Sequence, residues 1–333
     1  MSQVQNCIVN EDEGGMRLDR WFKDHYPGLS FGQLQKLART GQVRVNGGRI
    51  KLSSRLETGQ SVRVPPMATD DQSSNAPRRA TPRLNEDDAT FLRSIILHED
   101  KHLFVFNKPA GLAVQGGSGI ARHVDGMLDS LIDKKGQKPR LVHRLDRDTS
   151  GVLVVAKTRK SAMLLAESFR LRETKKIYWA VVRGVPRMRQ GRISNYLMKY
   201  QSPEGDKMRV VKKGGSDTQH ALSYYSVVER MATKLCWISL RPITGRTHQL
   251  RIHSQFMGHP IIGDPKYFDV QNWELPGGIQ NKLHLHARQI SIPHPAGGKL
   301  NITAPMPTHM QQTFNLLGFS LDSYDPDIHE FEG

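Results

Sequence analysis

The chain opens with two short stretches of helical periodicity. In residues 16–26, MRLDRWFKDHY, the apolar positions Leu18, Trp21 and Phe22 recur at helical spacing. Residues 30–39 repeat the pattern with Leu34, Leu37 and Ala38, behind a Ser30 cap and before Gly41. The pattern then changes period. QVRVNGGRIKL alternates around an Asn46-Gly47 turn signal and reads as a hairpin, and SVRVPP adds another short strand. These elements predict a compact helix–helix–hairpin module over residues 1–66. Residues 67–85 are poor in large apolar side chains and rich in Pro, Ser and charge, as a linker is. From residue 86 the chain reads as closely spaced strands: SIILHED, HLFVFNKP, GVLVVAK, IYWAVVRG, LSYYSVVE and LCWISLRP. Helices are expected at 159–172, with Ala162, Leu165, Ala166 and Phe169 on one stripe, and at 247–257 before Gly258. Basic residues from Lys199 to Lys213, with Gly205, Gly214 and Gly215, read as a flexible loop in which Arg209 is the best single candidate for a binding contact. The expected class is α+β, a mixed or antiparallel sheet over 86–318 with helices against it.

Charge changes the picture more than length does. The 333 residues suggest about two domains, and the net charge of +16 points to a polyanionic partner. The excess is clustered: Arg17 to Pro66 holds ten Lys or Arg against three acids, and Lys157 to Lys213 holds sixteen against four. Residues 319–333 run the other way and read as a solvated acidic tail. Cys7 and Cys236 are far apart without C-x-x-C spacing, so neither a disulfide framework nor a cysteine zinc site is expected. No long apolar run and no basic, apolar leader is present, and the chain is expected in the cytoplasm, off the membrane. Histidines 248, 253, 284 and 286 lack H-E-x-x-H spacing, and no phosphate loop or G-x-G-x-x-G motif opens a helix; metal, ATP and NAD are not indicated.

The chemistry concentrates in residues 141–157, LVHRLDRDTSGVLVVAK, where Asp146 stands between Arg144 and Arg147 just before an apolar strand. A carboxylate beside two cations is expected to stay ionised, available as nucleophile or base. The same residues also suit a plain turn into a strand. H-R-L-D-x-x-T-S-G, at His143 to Gly151, resembles the catalytic motif of the RluA-type pseudouridine synthases. The resemblance, over about residues 90–310, implies a single catalytic Asp, here Asp146, working without metal or organic cofactor. It also implies that Arg251, in T-G-R-T-H-Q-L-R-I-H (Thr244–His253), pairs with that Asp, and that Tyr178, in K-K-I-Y-W-A-V-V-R-G, stacks on the base and assists proton loss from C5. By helical spacing His248, Arg251 and Gln255 would share a face. Leu285 in K-L-H-L-H-A matches a position packing against the base, and Arg144 one that enters the space the flipped base leaves. The front module is similar to an S4 RNA-binding domain, and Arg20, Lys36, Arg39, Arg44 and Arg49 would meet RNA phosphates.

The reaction implied is isomerisation of uridine to pseudouridine. The N-glycosidic bond breaks, the uracil turns while bound, and C5 joins C1′ of the same ribose. Attack at C1′, addition to C6 and removal of a 2′ proton all require an ionised Asp146. QGGSG at 115–119 and MRVV at 208–211 look most like the RluC branch, which implies large-subunit ribosomal RNA, free or in an assembling particle, as partner. The alternatives are a synthase acting on tRNA or other ribosomal sites, and a non-catalytic RNA-binding assembly factor. The latter predicts loss of Asp146, Tyr178 or Arg251, and all three residue types stand in place. A hydrolase or metal nuclease would need a carboxylate pair or metal ligands where only one Asp stands. One chain carries every motif, so a monomer is expected.

Overall fold

The computed structural model describes residues 4–10, 13–66, 86–117, 119–134, 136–202, 205–215, 217–268 and 273–329. The chain divides into two compact units, Met1–Arg83 and Leu84–Gly333. The division falls inside the stretch read as a linker, residues 67–85, which itself lies outside the described residues.

In the first unit, β1 (Gln5–Ile8), α1 (Leu18–His25), α2 (Phe31–Arg39), β2 (Arg44–Val45) and β3 (Ser61–Val64) follow in order. Helix α1 forms because Leu18, Trp21 and Phe22 fall on one face and are buried. Ser30 caps α2 with a full capping box: its side chain accepts from the Gln33 backbone N–H, and the Gln33 side chain accepts from that of Ser30. The three strands run in the order β1-β3-β2, all antiparallel. The expected hairpin is one bridge long: Val45 and Gly48 pair around Asn46 and Gly47, which take positive φ, and the rest of the pairing of β2 is with β3. The first strand, from the amino-terminal segment, carried no clear alternation.

The second unit holds an 11-stranded sheet. Its elements are α3 (Glu86–Ser94), β4 (Ile96–Glu99), β5 (Leu103–Lys108), α4 (Val124–Met127), β6 (Arg140–Leu141), β7 (Ser150–Ala156), α5 (Arg159–Leu171), β8 (Lys175–Arg183) and β9 (Gln190–Ser202). Then come β10 (Gly205–Val211), β11 (Thr218–Met231), β12 (Leu235–Pro242), α6 (Gln249–Phe256), β13 (Leu285–Pro293), β14 (Lys299–Thr303) and α7 (Thr308–Leu317). The order is β10-β9-β11-β12-β8-β13-β7-β5-β4, with β14 beside β13 and β6 beside β7. Every pairing is antiparallel except β13 with β7, so the sheet is mixed, as the sequence predicted.

That parallel contact positions the site. Gly151, at φ +109°, pairs with Ala287, and a Cβ on it would lie 2.2 Å from the Ala287 carbonyl oxygen. Only glycine lets β13 come this close to β7. The alternation of β8 then sends Tyr178 toward one face. Trp179 goes to the other, where it packs edge-on against Trp237 at 4.7 Å and Tyr324 at 4.9 Å.

Two expectations need correction. Residues 199–202 and 205–211 are not loop but strand: β9 and β10 pair antiparallel in register from Gly205↔Ser202 to Val211↔Tyr196. Nor is the described part of the acidic tail wholly free in solvent: most of it is exposed, but a few side chains anchor it. Tyr324 and Ile328 pack on the tryptophan cluster, Ser226 and Arg241 donate to the carbonyls of Ile328 and His329, and the His329 ring bonds Ser239 at 2.7 Å. Apolar residues between the acids dock the segment while its carboxylates face water. The stripe of α5 also shifts: Ser161, Leu165 and Ser168 are its buried positions, whereas Ala166 is exposed.

Candidate active site

A cavity of about 520 Å3 is lined by the 143–149 loop, Tyr178 of β8, the 242–251 segment and Leu285 of β13. Its volume suits a small organic group. The motif residues hold the loop that carries Asp146. The His143 ring accepts the Val154 backbone N–H at 2.8 Å and stacks on Phe169. Burial, helped by the charge of Lys176, pushes its pKa down to about 3, so it serves as a neutral acceptor. Leu145 and Thr149 are buried, and Ser150 Oγ bonds His286 Nδ1 at 2.9 Å.

The cation facing Asp146 comes from across the cavity. Arg251 Nη1 lies 3.7 Å from Asp146 Oδ2. The flanking arginines are engaged elsewhere: Arg147 pairs with Asp148 at 3.0 Å, and Arg144 Nη1 donates to Gln115 Oε1 at 3.3 Å. The pair with Arg251 is the one the resemblance implied, whereas the flanking arginines, which the local pattern also offered, are bonded to other groups.

Arg251 is aimed by its own counter-ion. Its Nε and Nη2 donate to both oxygens of Asp264, at 2.8 and 2.7 Å, with the two side chains 3% and 0% exposed. Burial alone would lower the guanidinium pKa, but hydrogen bonds and charge from Asp264, with a smaller contribution from Asp146, leave it raised. The remaining nitrogen is the one that faces Asp146. The start of α6 is built to allow this. His248 takes φ +51° at the helix N-terminus, and Gln249 ties the preceding loop to Thr244, Arg246 and Leu222. The helix thus starts at Gln249, not Thr247. His248 and Arg251 line the cavity whereas Gln255, a turn further along α6, does not.

Tyr178, Leu285 and Arg144 also line the cavity, with Leu285 buried and Arg144 at the exposed edge. Burial, and then the charge of Asp146, push the Tyr178 phenol well above its ordinary range. Arg209 is elsewhere, on β10, its guanidinium 5.6 Å from the Tyr200 ring centre.

A single carboxylate facing a fixed cation, a half-buried phenol and an apolar wall can carry out covalent or proton-transfer chemistry on a flat polar ring. Comparison with known proteins agrees. Residues 102–256 match the family model described as RNA pseudouridylate synthase. The Escherichia coli protein "Ribosomal large subunit pseudouridine synthase C" is 36% identical, with 91% of this chain and 93% of the relative covered. Its Haemophilus influenzae namesake is 38% identical, with 90% of each covered. The chain belongs to the RluA-type RNA pseudouridine synthases. Among solved structures, "Human RNA Pseudouridylate Synthase Domain Containing 4" superposes with a TM-score of 0.57 at 31% identity, covering 69% of this chain and 95% of that one.

The synthase carries one further element that the sequence did not reveal. Lys108, fully buried at the end of β5, donates to the carbonyls of Pro109, Leu112 and Arg147 at 2.8–2.9 Å. Burial pushes its pKa down to about 7, with Asp148 and Asp146 opposing the fall. The three acceptors match the three protons of an ammonium, and a neutral amine would leave one without a donor. Lys108 so ties the residue after Asp146 to the sheet. Lys108→Met is expected to lower stability by about 1–3 kcal/mol, because the partly buried carbonyls of Pro109, Leu112 and Arg147 lose their donor. Denaturant unfolding measures this, and an unchanged midpoint would contradict it.

In the first unit Arg20, Lys36, Arg39 and Arg49 are exposed. Arg44 is not fully available, since its guanidinium donates to the carbonyls of Gly41 and Gly47.

Proposed function

We propose that this synthase converts particular uridines of large-subunit ribosomal RNA to pseudouridine, with Asp146 as the reacting carboxylate. The observation that carries the reading is Asp146 in a cavity 3.7 Å from an Arg251 nitrogen that Asp264 holds in place. Relatives named for the large-subunit activity match over nine-tenths of both chains, which supports this RNA over tRNA.

The residue roles follow from the cavity. An anion at Asp146 serves any of the three routes, whether it adds to C1′, adds to C6 or takes the 2′ proton. Arg251 opposes that charge without occupying both carboxylate oxygens. Tyr178, kept neutral by burial, works as a hydroxyl and a flat ring rather than as a phenolate base. Leu285 walls the cavity against water that would capture a detached sugar. Arg144, exposed at the rim, is placed to fill the gap that a flipped uridine leaves in the RNA. The amino-terminal unit, resembling an S4 domain, holds RNA phosphates through Arg20, Lys36, Arg39 and Arg49 and raises the local concentration of substrate. The protein acts as a monomer in the cytoplasm; no described helix is long and apolar enough to cross a membrane.

Carbodiimide mapping of pseudouridine in ribosomal RNA and tRNA from cells lacking this gene tests the reading. Specific large-subunit signals should vanish and return with the wild-type gene. Loss confined to tRNA would discard the ribosomal substrate. Unchanged signals in both pools, with no other enzyme covering the sites, would favour a non-catalytic assembly factor.

A further inference from the structure

A second recess of about 760 Å3 lies beside β10, the end of α6 and the 265–268 segment. Its wall joins two kinds of side chain. Tyr200, Phe256 and Phe268 supply aromatic faces, and Lys207, Arg209 and Lys266 supply positive charge. No carboxylate is among the described residues lining it. Phe256 is 59% exposed at the end of α6, although burial against the sheet was available to its neighbours Ile252 and Ser254.

The recess is built rather than incidental. Arg209 lies over Tyr200 at 5.6 Å, and the Lys266 ammonium donates to the Asp206 carbonyl at 2.9 Å, so both cations are held against the hairpin. Tyr267 forms the partition with the active-site cavity. Its hydroxyl accepts the Met208 backbone N–H at 2.8 Å and shares a hydrogen bond with His248 Nδ1, 2.9 Å away. Arg251 of α6 lines the cavity, and Ile252, Gln255 and Phe256 of the same helix line the recess. A chain passing over α6 would meet both.

The geometry points to a subsite for single-stranded RNA in this recess, taking a nucleotide that flanks the target uridine, its base stacked on Phe256 and its phosphate met by Arg209. The inference deepens the proposed activity and rests on RNA being the substrate. Aromatic faces interleaved with cations suit an unpaired strand, since every base offers a π-face and every linkage an anion. A duplex hides its base faces and gains only from the charge.

The test uses the full chain, a fluorescent twelve-nucleotide oligouridylate and a blunt RNA duplex of the same length. Phe256→Ala should weaken oligouridylate binding about 5- to 100-fold, and duplex binding by less than about two-fold. Arg209→Gln should weaken both and flatten the slope of log affinity against log salt by about 0.7 for the single strand. Phe256→Ala should leave that slope unchanged, and on ribosomal substrate its loss should fall on KM rather than kcat. Oligouridylate binding that survives Phe256→Ala, or equal losses on strand and duplex, would overturn the subsite while leaving the isomerase reading intact. A wild-type protein that forms no pseudouridine yet loses strand binding with Phe256→Ala would do the reverse.

Discussion

Replacing Asp146 by Asn is expected to cut pseudouridine formation by at least about a thousand-fold, as removal of a reacting nucleophile or base does, and to leave RNA affinity within about two-fold. The structure explains why chemistry and folding separate here. Asn keeps the size and shape of the side chain, which is 19% exposed, so no new cavity opens. Arg251 is not orphaned, because both oxygens of Asp264 still hold it. The loop itself is secured by groups that the substitution does not touch: His143 on Val154, Ser150 on His286 and Lys108 on Arg147. Thermal unfolding should therefore move by no more than a degree or two. Mass-spectrometric scoring of pseudouridine in large-subunit RNA incubated with the variant makes the measurement. Activity within ten-fold of wild type would remove Asp146 from the reaction, and a collapse in RNA binding would mean that the carboxylate supports the fold after all.

Much of this site was legible because local patterns record local constraints. Asp146, Tyr178 and Arg251 lie in motifs whose other members brace short stretches of backbone, such as Gly151 where β13 approaches β7 and Gln249 at the start of α6. Helices α1 and α2 were equally readable, since both bury one stripe and expose the rest. What escaped notice depends on partners far away in sequence. Lys108 reads as one more cation in a basic protein, and only the fold brings the Arg147 carbonyl to it. Asp264 sits in a Gly-Asp-Pro turn signal, and nothing nearby in the chain says that it faces Arg251. The hairpin of β9 and β10 was mistaken for a loop because it buries only Ile193, Leu197 and Met208, leaving an alternation too sparse to distinguish from charged coil. The tail was misread for the opposite reason: five acids outweighed the apolar anchors Tyr324 and Ile328 that dock it.

Asp264→Ala is expected to have the largest effect on stability, a loss of about 3–5 kcal/mol, as when one partner of a buried ion pair is removed. In a unit of this size that corresponds to a fall of roughly 10 °C in Tm. The guanidinium of Arg251 would remain almost entirely enclosed, with Asp146 at 3.7 Å as its only carboxylate partner. The Asp264 carboxylate also accepts the backbone N–H groups of Lys266 and Tyr267, so the same change frees the segment that separates the cavity from the second recess. Turnover should fall with stability, because Arg251 would collapse onto Asp146 and take up the oxygens the substrate needs. A second variant separates the two effects. Converting the pair together, Arg251→Met with Asp264→Leu, removes both buried charges and should recover most of the lost Tm, since an apolar pair of similar volume avoids the desolvation cost. It should recover none of the activity, because Asp146 would then face no cation. If the double variant regained turnover along with stability, Arg251 would be a structural residue and Asp146 would work without a counter-charge. If Asp264→Ala left Tm unchanged, the buried pair would not be what fixes the helix against the sheet.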